Sequence, residues 1–320
     1  MPTETRYHLP MNLKSILSSA LAAFPSLRPE DQPKLPWAKL IESYMTVPDV
    51  YKDFFEPFQA DPRRFPYTVL TPSYEDHQHP TTGKLITILG PEIFILEDIG
   101  DAFMQLCYPI SEISYVEQGT KLLYSWLKIY GMTGHDGLKT TTLNFNSVTD
   151  YLFEPILKCI RPNPISTNDT NLSPEIEKFA HLAQVNYKFM NYARRSLLGG
   201  EKVIHTFLQP EIRKVKLAFL GKSFYRIISA THITILTDQE LIVIQEEANC
   251  SDQTRYGGIW DYIPLNKIAS LTYSEKDKGL LELSVNLTEG TQLDFIFQAY
   301  ARPEVDRLID QYKQLVTIQF

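Results

Sequence analysis

The chain has 320 residues, room for roughly two domains of ~150 residues, and its 43% hydrophobic and 22% charged content is that of a soluble globular protein. Its net charge of −7 argues against non-specific nucleic-acid binding, which runs on an excess of Lys and Arg. Cys107, Cys159 and Cys250 have neither disulfide-framework nor metal-ligand spacing, so a reducing, cytoplasmic setting and no cofactor are expected, and no apolar run reaches the ~18 residues that span a bilayer.

Residues 1–66 read as a proline-rich helical extension. Leu13, Ile16, Leu17, Ala20, Leu21 and Phe24 fall along one stripe, as in an amphipathic helix that packs on the protein or, in the minority reading, on a membrane surface. LPWAKLIESYM and PDVYKDFFEPF read as short helices with proline in the first turn. From Tyr67 the texture becomes short apolar runs between turn residues. YTVLTPSY, the two halves of KLITILGPEIFILED around Gly90–Pro91, AFMQLCYPISEISYVEQ, KLLYSWLKIYG and LKTTTLNFN supply strands. A helix follows with Val148, Tyr151, Leu152, Ile156, Cys159 and Ile160 on one face, and Pro155 is expected to kink it.

Residues 163–198 read as a linker and a connecting helix. Its start is marked by Ser173 as N-cap, Pro174 and Glu175; its stripe is Ile176, Phe179, Ala180, Ala183, Tyr187 and Met190; it stops at Gly199–Gly200. The last region, 199–320, repeats the strand texture: EKVIHTFLQPEI, KLAFLGKSFYRII, a hairpin around Thr237–Asp238–Gln239, GGIWDYIPLNKIASLTYSE, and a hairpin turned by Glu289–Gly290. A closing helix presents Val305, Leu308, Ile309, Tyr312 and Leu315.

The two strand-rich regions match block by block. ITILGPEIFILE answers ITILTDQELIVIQE with one extra turn residue, and CYPISEISYVE answers YIPLNKIASLTY with Pro109 over Pro264 and Ile113 over Ile268. LLYSWLKI answers LLELSVNL, and TTTLNFN answers TQLDFIF, each followed by a helix. Antiparallel strands ending in one amphipathic helix must bury its stripe, which a bent, partly open barrel plugged by the helix achieves. The pattern resembles bacterial proteins with tandem pleckstrin-homology-like (PH/GRAM-like) domains. The resemblance implies a mainly β, α+β fold of two PH-like barrels, 67–162 and 199–320, each closed by a carboxy-terminal helix.

Such domains bind a protein or peptide partner or an anionic lipid, and the lipid binders carry basic residues on the first strand pair. Lys202, Arg213, Lys214, Lys216, Lys222 and Arg226 occupy that region here. A solvated, lysine-protected edge is the competing reading, and the favoured one. The corresponding stretch of the first region has no basic cluster. Trp260, after Gly257–Gly258, is a candidate partner contact on a loop. His77 and His79 form an H-x-H beside Glu75 and Asp76, a weak metal candidate outweighed by a plain polar loop. GMTGHDG suits a hairpin turn better than a phosphate cradle. Catalytic signatures are missing, so the reading is a non-catalytic binding or scaffold protein for a protein or peptide, with no nucleic acid. The alternatives are a peripheral membrane adaptor and an enzyme with an unfamiliar site.

Overall fold

A computed structural model describes residues 37–73, 81–134, 137–162, 172–219, 222–246, 257–276 and 279–319, without the side chains of 216–224 and 318–319. The fold is α+β with antiparallel sheets, none of them a closed barrel, and it ends in the helix Arg302–Gln319. Residues Leu35–Phe320 group as one compact unit.

The first sheet runs β1 (Lys39–Ile41), β2 (Thr68–Thr71), β3 (Lys84–Leu89), β4 (Glu92–Asp98), β5 (Phe103–Pro109) in chain order. A 3-10 turn at Ile110–Glu112 leads to the meander β6 (Ile113–Lys121), β7 (Tyr124–Thr133), β8 (Gly137–Asn146), then 3-10 turns and the helix Glu154–Ile160. The second half begins with β9 (Val203–Gln209), then an extra ribbon, β10 (Ile212–Phe219) and β11 (Lys222–Ser229). It continues with β12 (His232–Thr237), β13 (Glu240–Gln245) and β14 (Gly258–Pro264). A 3-10 turn at Leu265–Lys267, the meander β15 (Ile268–Glu275), β16 (Leu280–Leu287), β17 (Gln292–Gln298), a 3-10 turn and the final helix complete it.

The halves agree in their irregularities as well as in element order. Pro109 and Pro264 precede the two 3-10 turns, whose first amides bond back to Pro91 O (2.8 Å) and Gln239 O (3.0 Å). Both meanders carry a bulge at the same place, between Ile113 and Tyr115 and between Ile268 and Ser270. Asp98 N–H donates to Gly83 O and Glu246 N–H to Thr231 O, at 2.9 and 3.0 Å. These bonds correct the sequence alignment by one residue. The two hairpins have turns of equal length, and Leu85, not Ile86, stands over Ile233. The slip matters because side chains alternate: Ile86 and Thr234 face their own meanders, Leu85 and Ile233 face away.

The face turned away is covered by helical chain in both halves. Val47, Tyr51 and Phe55 of 44–65 pack on Leu85 and Leu96, so 37–66 belongs with the first half and is not a separate extension. LPWAKLIESYM yields β1 and a 3-10 turn at Tyr44–Thr46, not a helix, because β2 offers 39–41 an edge to pair with. In the second half, Phe179, Leu182, Phe189, Met190 and Ala193 pack on Ile233, Ile235, Ile242 and Ile244. β12 and β13 are therefore buried on both faces, which accounts for their unbroken apolar runs. The expected single connecting helix is three pieces, Ser173–Glu177, Ala180–Gln184 and Tyr187–Ser196. Asn186 Oδ1 accepts the Phe189 amide and starts a new helix in a new phase, leaving Ala183 and Tyr187 exposed. Ser173 is the first residue of the first helix, and Leu172 holds the N-cap position. Pro155 sits in the first turn of Glu154–Ile160, where no amide is missed.

The halves are joined through a sheet. β6 pairs antiparallel with β14, Val116 opposite Tyr262 through Thr120 opposite Gly258, giving one seven-stranded sheet, β8-β7-β6-β14-β13-β12-β9. Gly257 makes the approach possible: its φ is +97°, and a Cβ there would stand 1.9 Å from Thr120 O. Gly257→Ala should cost more than the roughly 1–3 kcal/mol of left-handed strain alone. Gly279→Ala, at φ +92° with open space around it, isolates that strain. Thermal unfolding should show the larger loss for Gly257→Ala; equal losses would mean that the seam does not need the glycine.

Candidate functional site

Three places hold chemistry that a plain core would not: the β10–β11 ribbon with the cleft at its base, and two charged clusters along the seam. The ribbon leaves the body between β9 and β12. Residues 212–229 hold five cations (Arg213, Lys214, Lys216, Lys222, Arg226) and no acid, so the rest of a chain of net −7 carries −12. Lys214 pairs with Arg226 and Val215 with Tyr225 in register. Arg213, Lys214, Val215, Tyr225 and Arg226 are all exposed, so both faces of the ribbon meet solvent. Arg213 pairs with Glu211. The side chains of Lys216 and Lys222 lie outside the described residues. Lys202 does not join this group. It stands at the other end of β9, where its amide donates to Asp238 Oδ1 (2.9 Å), roughly 20 Å along a seven-residue strand from the ribbon.

A cleft of about 270 Å³ opens at the ribbon's base, lined in part by Ser229, His232, Gln245, Glu246, Asp294 and Phe295. Its described lining holds two carboxylates and no Lys or Arg. Burial pushes His232 down to about 4, so the ring is neutral; its Nδ1 lies 3.1 Å from Ala230 O and its edge packs on Phe297.

Trp260 is not on a loop. It lies in β14, between Ile244 and Gln118 in register, half-buried, its ring 4.7 Å from that of Tyr192. It is a joint between the connecting helix and the seam. His77 and His79 lie outside the described residues. Cys107 is on β5, its thiol pushed up to about 11, first by burial and then by Glu92, the opposite of an activated nucleophile.

The first charged cluster follows the first half's closing helix. Arg161 is 6% exposed, Glu201 1% and Glu240 0%. Arg161 donates from Nε (2.9 Å) and from a second nitrogen to Glu240, donates to Ser196 O (2.6 Å), and lies 3.9 Å over the Tyr262 ring. Glu201 accepts the Leu198 amide at 2.6 Å; burial, then Glu240, pushes its carboxyl up to about 9 against the pull of Arg161. Burial thus favours the protonated form of Glu201 beside the Arg161–Glu240 pair. Removing one partner of such a pair costs on the order of 3–5 kcal/mol, so the cluster clamps the first half's helix to β13 and β14 of the second.

The second cluster straddles the seam. Glu117 on β6 stands directly opposite Asp261 on β14, with Lys128 on its other side. Lys128 Nζ and Trp126 Nε1 both donate to Glu117, at 2.7 and 2.6 Å. Asp261 is pushed up to about 8, chiefly by burial and then by Glu117, with Lys128 opposing. Sequence reading missed both clusters, whose members are distant in the chain; the adjacent glycines 257 and 258 were the one local trace of the seam.

No known family's sequence profile matches the chain, and neither does any curated protein. No helix among the described residues is long and apolar enough to cross a membrane.

Asp261 gives the seam a pH dependence of definite sign. The folded chain holds this proton to about pH 8, whereas the unfolded chain releases it near the ordinary 3.8. Its stabilising contribution is complete below pH 4 and falls by about 1.4 kcal/mol per pH unit up to about 8. Asp261→Asn, which has no proton to lose, should therefore gain in melting temperature over the wild type as pH rises from 5 to 8. Parallel curves for the two proteins would refute the assignment.

Proposed function

We propose that the chain is a non-catalytic binding protein built from two PH-like units, each a partly open barrel closed by its own helix, that holds a protein or peptide partner. The recurrence of four strands, a proline-led 3-10 turn, a three-stranded meander with one bulge and a helix supports the PH-like reading of both halves. The observation that carries the function is the ribbon: a two-stranded element with cationic residues exposed on both faces, standing out from an otherwise acidic chain. An isolated two-stranded ribbon is marginal in water. A partner bearing carboxylates would complement the ribbon's positive charge and cover Val215 and Tyr225.

A lipid headgroup is the second reading. In its favour, the sequence KLAFLGK places two apolar residues, Phe219 and Leu220, between Lys216 and Lys222. Against it, the cations lie along the ribbon instead of converging on the cleft, whose described lining is acidic. The protein reading therefore stands first.

The triple variant Arg213→Glu/Lys214→Glu/Arg226→Glu separates the two. In cross-linked extracts of the source cells, wild type should retain a protein that the variant loses, and neither should sediment with phosphatidylserine vesicles at moderate salt. Sedimentation of wild type with anionic but not neutral vesicles, abolished in the variant, would replace the protein reading with the membrane one.

A further inference from the structure

We propose that the outer edge of β15 is a self-pairing interface through which two copies of the chain associate, β15 against β15 in antiparallel register. The argument starts from the equivalent strand of the first half. β6 and β15 both follow a proline-led 3-10 turn, carry the same bulge, and have a closing helix packed beside them. The outer edge of β6 is filled: β14 lies along it from Val116 to Thr120, and Tyr262 of β14 sits beneath Arg161, just past the first half's closing helix. The chain thus already contains one case in which this edge takes an antiparallel strand from another repeat. The outer edge of β15 has no strand on it among the described residues.

The remaining edges of the three larger sheets are guarded in the ways natural sheets use. β1 is three residues long. The Gly134 amide caps Cys107 O on β5 at 3.2 Å. β8 presents the exposed Lys139. β9 and β17 are tied by Gln209, whose side chain accepts the Gln298 amide at 3.0 Å. β15 is tied only at its two ends, where Tyr312 Oη donates to Ile268 O at 2.7 Å and Arg302 pairs with Glu275; between them Ala269, Thr272 and Ser274 are exposed, and the strand is uncharged from Ile268 to Ser274.

Its sequence is also complementary to itself. Antiparallel pairing centred on Thr272 sets Leu271 opposite Tyr273, Ser270 opposite Ser274 and Ala269 opposite Glu275. No like charges face each other, and the Leu–Tyr pairs are of the aliphatic–aromatic kind that steadies cross-strand contacts. A two-fold axis through Thr272 is the closed arrangement that uses one patch twice. The interface does not involve the ribbon, so it stands or falls apart from the partner-binding proposal.

Light scattering on the full chain at micromolar concentration should give twice the 36.9 kDa chain mass. Thr272→Lys and Thr272→Glu, changes at an exposed position, should each run as monomers with wild-type melting temperatures. Mixing the two variants should restore the dimer, because opposite charges then meet across the axis; that rescue excludes misfolding as the cause of dissociation. A monomeric wild type, a dimer that survives Thr272→Lys, or a mixture that stays monomeric would each overturn the proposal.

Discussion

Main-chain hydrogen bonding between β6 and β14 turns two repeats into one body. Every strand from β8 to β9 belongs to a single ladder because residues 116–120 and 258–262 lie side by side. The consequences run outward from that line. The connecting segment 173–196 must fold back over the outer face of β9, β12, β13 and β14, where it merges the core of the first half with the far face of the second. Arg161 is thereby brought against Glu240 and Tyr262, and Asp261 against Glu117. Neither charged cluster would exist without the seam, and both bury ionisable groups that water would solvate better.

The seam carries mixed energetic terms. Backbone pairing and the packing of Trp260 on Tyr192 hold it together. The Glu117–Asp261 juxtaposition works against it as Asp261 ionises, while the Arg161–Glu240 pairing avoids leaving the guanidinium buried without a partner. The helical cover gives both halves the same solution to the same problem. Each first sheet is apolar on both faces, one turned to its own meander and the other to chain that precedes it.

Local pattern carried the strands, because alternation and turn residues mark them one at a time. β7 alternates half-buried and buried positions as YSWLKIYGMT suggests, and the final helix buries Val305, Leu308, Ile309 and Tyr312 as its spacing requires. The order of the repeat was legible for the same reason. Phase was not: matching ITIL to ITIL by letters put Ile86 over Ile233, and only the hairpin pairings reveal the one-residue slip. The connecting helix misled because its apolar residues suit one long stripe as well as two short ones, and the asparagine that divides it acts through a single side-chain bond. The β10–β11 ribbon was visible as a basic segment, but not as an insertion, nor as distant from Lys202. The seam pairs residues more than a hundred positions apart and Arg161 reaches Glu240 across 79, so no window along the chain contains both sides.

Native-state hydrogen exchange of the whole chain tests the welded seam most directly. If β6 and β14 join the halves into one cooperative unit, the hydrogen-bonded amides within 116–120 and 258–262 should exchange only through global unfolding, with the same protection as the core amides of β12 and β13. Seam amides that exchange orders of magnitude faster than both cores would show two bodies that merely touch, and would contradict the account.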